Sequence, residues 1–271
     1  MRFDFLVTPA TAPKGRQMIE AMFLGAVRLG LDGAMVVRGV PRKDAVLVLY
    51  GMGGSDRLPL AQAHQRQGGR VIAFDAGYWD RKGANRRFRV SLDGLHCPAR
   101  IMAGRNPGPA RFESSQLAVG RSGNSAGPIL LIGNGPKSNA IGAQGWTARK
   151  SVELRKAFPG KRLLYRPKPK KPAERNVIFD GLSANPIDDA LKGISLVVCR
   201  HSNVAVDATR LGVPVVCEDG AAASIYPSML ARFREQPSAT TRLEFLHRLA
   251  WWQWSHSESD TFWPWMLEQL A

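Results

Sequence analysis

The strongest constraint on this chain is its alternation of short apolar runs with longer amphipathic stretches, the pattern of an α/β protein. RFDFLVT, AMVVRG, AVLVLYG and RVIAFDAG read as strands, and RFRVSL, centred on residues 88–92, adds another. Residues 13–29 place Met18, Ile19, Met22, Phe23, Val27 and Leu29 at helical spacing, and Leu58–Gln67 predicts a second helix. Residues 103–127, rich in Gly, Ser, Pro and Asn, read as a connection. The order then restarts. GPILLIGNG, KRLLYRPKP, ISLVVCRH and VPVVCED read as strands, with helices over 146–157, 186–192 and NVAVDATRLG, which makes a Rossmann-like half. From Thr240 to Ala271 the chain reads as helical and holds five of the seven tryptophans, which suit a packed core better than base stacking. The predicted lobes are 1–125 and 126–271.

The chain's 271 residues, 44% of them hydrophobic, suffice for two small cored lobes. Its net charge of +16 is unusual. Residues 1–125 carry 19 basic and 9 acidic side chains, and residues 126–271 carry 19 and 13, so both halves are basic. Such a field attracts polyanions: nucleic acid, anionic polysaccharide or a membrane surface. Cys97, Cys199 and Cys217 are too few and too far apart for a metal knuckle or a disulfide framework. MRFDFLVTPA lacks a signal peptide's apolar stretch, and no run is long enough to span a membrane. The expectation is a soluble, cytoplasmic protein.

The most informative segment is ISLVVCRHSNVAVDATRLGVPVVCEDG. An apolar strand runs to Cys199, the polar cluster Arg200, His201, Ser202, Asn203 follows, and a helix begins. A strand-to-helix turn of this kind offers backbone N–H groups and short side chains to phosphate. Asp207 lies four residues after Asn203 on the same helix face. Gly212 stops the helix, and Glu218 and Asp219 end the next strand, where open α/β sheets bind ligands.

The run Ser202, Asn203, Ala205, Asp207, Ala208, Gly212, Pro214, Val215 resembles the S-N-x-A-x-[ED]-A-x-x-x-G-x-P-V stretch of GT-B glycosyltransferases and their capsule-polysaccharide relatives. Tyr165-Arg166-Pro167-Lys168-Pro169 is similar to the family's R-P-H-P element, with Lys168 in the histidine's place. The resemblance covers residues 128–227. It implies two Rossmann-like lobes facing a cleft, with C-terminal helices crossing back. It implies a nucleotide-sugar donor, a UDP-sugar as first choice, held by Arg166, Lys168, Ser202, Asn203 and Asp207, with His201 of the polar cluster as a further donor-binding candidate. Asp207 replaces the commoner glutamate, so ribose contact passes to Glu218 as an alternative. The resemblance implies no metal clamp, and the pairs Asp188-Asp189 and Glu218-Asp219 show no evident partners in the sequence.

Two candidates for a general base lie in the first half. Asp75 ends the strand RVIAFD, just before Gly77-Tyr78-Trp79, and His96 follows RFRVSLDGL. The loop Gly133-Asn134-Gly135-Pro136-Lys137-Ser138 suits close approach to phosphate but is too short for a Walker pattern, as Arg121-Ser122-Gly123 is too slight a signal. Basic clusters at Arg81, Lys82, Arg86, Arg87, Arg89 and at Lys161, Arg162, Arg166, Lys168, Lys170, Lys171, Arg175 are candidate acceptor-binding surfaces, against solvated surface as the plain alternative. The expected activity is sugar transfer to a hydroxyl on a polyanion. Hydroxymethylated pyrimidine in DNA is the favoured acceptor, on the basic charge and on a compact size like that of small bacteriophage DNA-modifying enzymes acting in the host cytoplasm. The alternatives are transfer to a cell-surface polysaccharide and a non-catalytic nucleic-acid or nucleotide-binding module.

Overall fold

The computed structural model describes residues 1–37, 41–54, 56–83, 85–120, 123–135, 138–169 and 174–271. Its strands are β1 (Arg2–Leu6), β2 (Asp32–Val36), β3 (Ala45–Tyr50), β4 (Val71–Ala76), β5 (Phe88–Leu92), β6 (Ile129–Ile132), β7 (Leu163–Arg166), β8 (Gly181–Leu182), β9 (Leu196–Cys199), β10 (Val215–Cys217) and β11 (Gln253–Trp254). The α-helices are α1 (Pro13–Arg28), α2 (Arg57–Arg66), α3 (Pro98–Ile101), α4 (Ala110–Glu113), α5 (Trp146–Ala157), α6 (Ile187–Leu191), α7 (Val204–Arg210), α8 (Ala239–Leu249) and α9 (Ser259–Leu270). Two compact units result: Met1–Cys97 with Trp251–Ala271, and Pro98–Ala250. Where the sequence reading set a boundary at 125/126, these contacts give residues 98–125 to the second unit and return the chain end to the first.

The first unit is a six-stranded sheet in the order β11-β5-β4-β3-β1-β2. The strands β2, β1, β3 and β4 run parallel; β5 runs antiparallel to β4, and β11 antiparallel to β5. All six residues of β3 are buried, as expected of a parallel strand covered on both faces. Pro13 opens α1, where its missing N–H forfeits no helical bond. Gly25 admits α9 to α1, because a Cβ there would lie 2.6 Å from the Cβ of Ser259. Trp263 of α9 donates its indole N–H to the Met22 carbonyl at 2.8 Å and meets Phe3 edge-on at 4.8 Å between ring centres. The tryptophan-rich end is thus core, with Trp252, Trp254 and Trp263 buried.

Three local readings change. The strand read as AMVVRG begins two residues earlier, at Asp32, and residues 38–40 lie outside the described ones. The C-terminal segment is interrupted by β11, which pairs Gln253 with Arg89 and Trp254 with Phe88. The Gln253 amide oxygen accepts from Tyr78 N–H at 2.9 Å, and a Ser255/Glu258 capping box starts the next turn, so extended backbone outcompetes helix there. Residues 103–127 include α4, pinned by buried Phe112 against His247.

The second unit is a parallel sheet in the order β10-β9-β6-β7-β8. The chain starts at β6 and builds outward through β7 and β8. It then crosses back to lay β9 on the other side of β6. The switch point of the sheet therefore lies between the carboxyl ends of β6 and β9, where open α/β sheets take ligands. Trp146, Leu131, Tyr165 and Val198 are among the residues of the core beneath it.

Candidate functional site

The polar residues predicted after Cys199 do gather at this switch point. Beyond the strands themselves, Glu218 N–H donates to the Cys199 carbonyl at 3.2 Å and Asp219 N–H to the Arg200 carbonyl at 2.9 Å. These bonds extend the β9–β10 pairing and fix His201 and Asp219 side by side. His201 Nδ1 lies 3.0 Å from Asp219 Oδ1, and His201 Nε2 lies 2.6 Å from Ser138 Oγ, in the turn after β6. Arg200 holds the other carboxylate oxygen of Asp219 at 2.9 Å and reaches Glu218 at 3.7 Å. The carboxylate accepts, so Nδ1 carries the imidazole proton and Nε2 faces the Ser138 hydroxyl. Gly220 is required beside them: a Cβ there would stand 2.9 Å from His201 Cα and 3.0 Å from Cys217 Sγ.

The other predicted donor contacts are placed as follows. Asn203 stands at the N-terminus of α7 without a side-chain capping bond, and Ser202 Oγ accepts from Val204 N–H at 3.3 Å. Arg166 ends β7 and donates to the Asn185 carbonyl at 2.8 Å; burial lowers its pKa, and Asp207 opposes that by attraction. Lys168 runs along the turn after β6, its Cγ 3.5 Å from where a Cβ on Gly135 would sit. Glu218 accepts from the Trp146 indole N–H, which fixes one of its carboxylate oxygens. The acids that looked partnerless have partners: Asp219 is ion-paired to Arg200 and hydrogen-bonded to His201, Asp188 is ion-paired to Arg210 at 2.5 Å, and Asp189 to Lys192 at 2.7 Å. Among the described residues no group of three His, Cys, Asp or Glu side chains is arranged to hold a metal.

In the first unit, Asp75 and His96 meet on one guanidinium. The β4–β5 register sets Asp75 opposite Arg89. Arg89 Nη2 lies 3.3 Å from Asp75 Oδ2, while Nη1 lies 2.5 Å from His96 Nδ1. A guanidinium only donates, so the facing ring nitrogen of His96 is the acceptor. Tyr50, buried beside this cluster, is pushed up to about 12 by burial and by the Asp75 charge. Burial raises Tyr78 as well.

The expected basic surface is partly neutralised. Arg81 donates to the Gly77 carbonyl at 2.9 Å and Arg86 to the Gly83 carbonyl at 3.0 Å, so both brace their own loop. Arg87 pairs with Glu258 at 3.2 Å, and Lys82 is exposed. Lys170, Lys171 and Pro172, like Arg121, Ser122, Pro136 and Lys137, lie outside the described residues.

Sequence reasoning passed over Glu174, and it noted Ser138 only within a phosphate-approach loop and Asp219 only within a strand-end acid pair. Glu174 accepts from Asn134 N–H at 2.7 Å and Thr147 Oγ1 at 2.9 Å, which anchors the turn after β6. A lone acid within a basic, proline-rich stretch was the only available signal.

No family model matches the chain, and no curated protein matches it. Solved structures do. Thermosulfurimonas dismutans KpsC, described as a beta Kdo 2,4 transferase, aligns over 92% of this chain and 90% of its own, with a TM-score of 0.57 at 12% identity. A second KpsC structure from that organism, a beta Kdo 2,7 transferase, aligns over 99% and 100%, with a TM-score of 0.54 at 12% identity. The fold is therefore that of GT-B glycosyltransferases, with two parallel-dominated α/β sheets.

Proposed function

We propose that the chain is a glycosyltransferase that takes its sugar from a nucleotide-sugar donor bound at the β6/β9 switch point. The observation that carries this reading is the gathering of Arg166, Lys168, His201, Ser202 and Asn203 on strand ends of one parallel sheet, on a fold shared with Kdo transferases. Cations and hydrogen-bond donors placed there stabilise the charge that develops on a departing phosphate. Asp207, with Glu218 as the alternative, would take the ribose hydroxyls. Asp75 is the proposed general base for the acceptor hydroxyl and His96 the second candidate, both oriented by Arg89.

The net charge of +16 supports a polyanionic acceptor. Hydroxymethylated DNA remains the first acceptor proposed. An acidic glycan is the second reading, favoured specifically by the likeness to enzymes whose described activity is transfer of Kdo.

Calorimetry with a panel of nucleotide sugars tests the donor site. Binding of at least one, weakened about tenfold or more in Arg166→Ala, is expected. Binding of none refutes the reading. Mass spectrometry of hydroxymethylated DNA and of an acidic glycan, each incubated with the bound donor, identifies the acceptor. Asp75→Asn should cut turnover about 10²- to 10⁴-fold with donor binding intact. Full turnover in both Asp75→Asn and His96→Gln removes the proposed base.

A further inference from the structure

Ser138, His201 and Asp219 make a continuous hydrogen-bonded chain, hydroxyl to imidazole at 2.6 Å and imidazole to carboxylate at 3.0 Å. The three arise from the carboxyl ends of β6, β9 and β10, neighbours in the sheet, so their order across the sheet matches their order in the relay. Each link is braced. Asp219 gives its second oxygen to Arg200, the β9–β10 backbone bonds continue past both strands, and Gly220 lets the two turns touch. Ser138 is 7% exposed, so bulk water scarcely competes for its hydroxyl. Ribose or phosphate binding requires no such chain, since single hydroxyls and cations suffice for it. A serine hydrogen-bonded to an imidazole that is itself oriented by a carboxylate is the arrangement that turns a hydroxyl into a nucleophile, and it is recognised by geometry and not by sequence position.

We propose that Ser138 is an activated nucleophile that cleaves a carboxylic ester carried on an anionic molecule, an activity beyond sugar transfer. Ser138 Oγ forms a bond to the ester carbonyl carbon as its proton passes to His201 Nε2. The ester C–O bond breaks, its electron pair leaves with the alcohol oxygen, and His201 returns the proton to that oxygen. Water then attacks the acyl-serine, giving its proton through His201 to Ser138 Oγ and releasing the acid. Asp219 is a positioning residue that holds the imidazole with Nε2 toward Ser138. Lys168, lying along Gly135 three residues before Ser138, supplies the cation that selects an anionic ester.

The probe is a fluorophosphonate, which loses fluoride to an activated serine and leaves a stable phosphonate ester on its oxygen. Intact-mass and peptide analysis of the full chain should show one adduct, on Ser138, with none in Ser138→Ala. His201→Gln should slow labelling at least tenfold, and Asp219→Asn should slow it measurably with the melting temperature retained. To separate reactivity from folding, Ser138→Cys keeps the site's size. Its alkylation by iodoacetamide should be faster than in Ser138→Cys/His201→Gln. An unlabelled native protein, or equal rates with and without His201, overturns the proposal. The labelling needs no sugar nucleotide. A chain that binds no nucleotide yet gains the adduct sinks the transferase reading alone, and one that binds nucleotide yet stays unlabelled sinks this proposal alone.

Discussion

Gly220→Ala isolates the steric requirement of the switch-point turns. Gly220 has φ −82° and ψ −180°, a conformation that alanine adopts freely, so the backbone itself offers no penalty. The added methyl would stand 2.9 Å from His201 Cα, 3.0 Å from Cys217 Sγ and 3.2 Å from the His201 carbonyl carbon. Two of these are backbone atoms, tied into the β9–β10 extension, so a shift of a few tenths of an ångström must move His201 itself. Overpacking of this kind costs about 1–3 kcal/mol. Taking about 2 kcal/mol, the second unit should melt about 4–8 °C lower. Gly160→Ala is the matched control: no atom lies within 4 Å of its new methyl, and its φ lies outside the left-handed range. It should be neutral or gain about 0.4–1 kcal/mol through the unfolded chain. Calorimetric melting of both variants, with nucleotide-sugar titration, is the assay. Gly220→Ala should lose stability and donor affinity together. If it melts and binds like Gly160→Ala, the close approach of the two turns is not what shapes the site.

Trp263→Ala removes the edge-on contacts to Phe3, Phe5 and Phe262 and the indole bond to Met22, and should cost about 3–5 kcal/mol, read as an early loss of the first unit in a denaturant titration. Cys97, Cys199 and Cys217 are buried free thiols, and hydrogen bonding to Cys199 together with burial raises Cys217; a thiol reagent should find none reactive in the native protein and three after unfolding. Burial pulls the Asp56 carboxyl upward, but the Thr8 hydroxyl at 2.5 Å, backbone N–H groups and Arg57 outweigh it and hold the group below its ordinary value. A carboxyl lowered in the folded state stabilises above the unfolded pKa and loses that stabilisation as pH falls through the folded one. The stability gap between the native chain and Asp56→Asn should therefore shrink from about pH 6 to about pH 3, and a constant gap would contradict the assignment.

Most strands of both sheets were legible because each is a short apolar run bounded by turn residues, and β3 and β9 are buried throughout. What periodicity cannot convey is a two-residue strand such as β11, whose pairing with β5 depends on Arg89 and Phe88, far away in sequence. Nor can it assign the chain end to a unit, because the complement of Trp263 is the surface made by Phe3, Phe5 and Met22. The site divides along the same line. The polar turn after Cys199 announced itself by composition, and so did Asp75 at its strand end. That Arg89 would draw Asp75 and His96 together follows from an antiparallel register that no local pattern records.

The same reasoning explains why neither Ser138 nor Asp219 could be joined to His201 from the sequence. Ser138 and His201 are 63 residues apart in sequence, and His201 and Asp219 are 18 apart. Their union depends on the sheet order β10-β9-β6, which arises because the chain, after building outward through β7 and β8, crosses back over its first strand. Had β9 continued on the far side of β8, His201 would stand at the sheet's other edge and Ser138 would have no imidazole to face. The crossover that makes the switch point therefore also assembles the relay, and exchanging the order of those strands would abolish both at once.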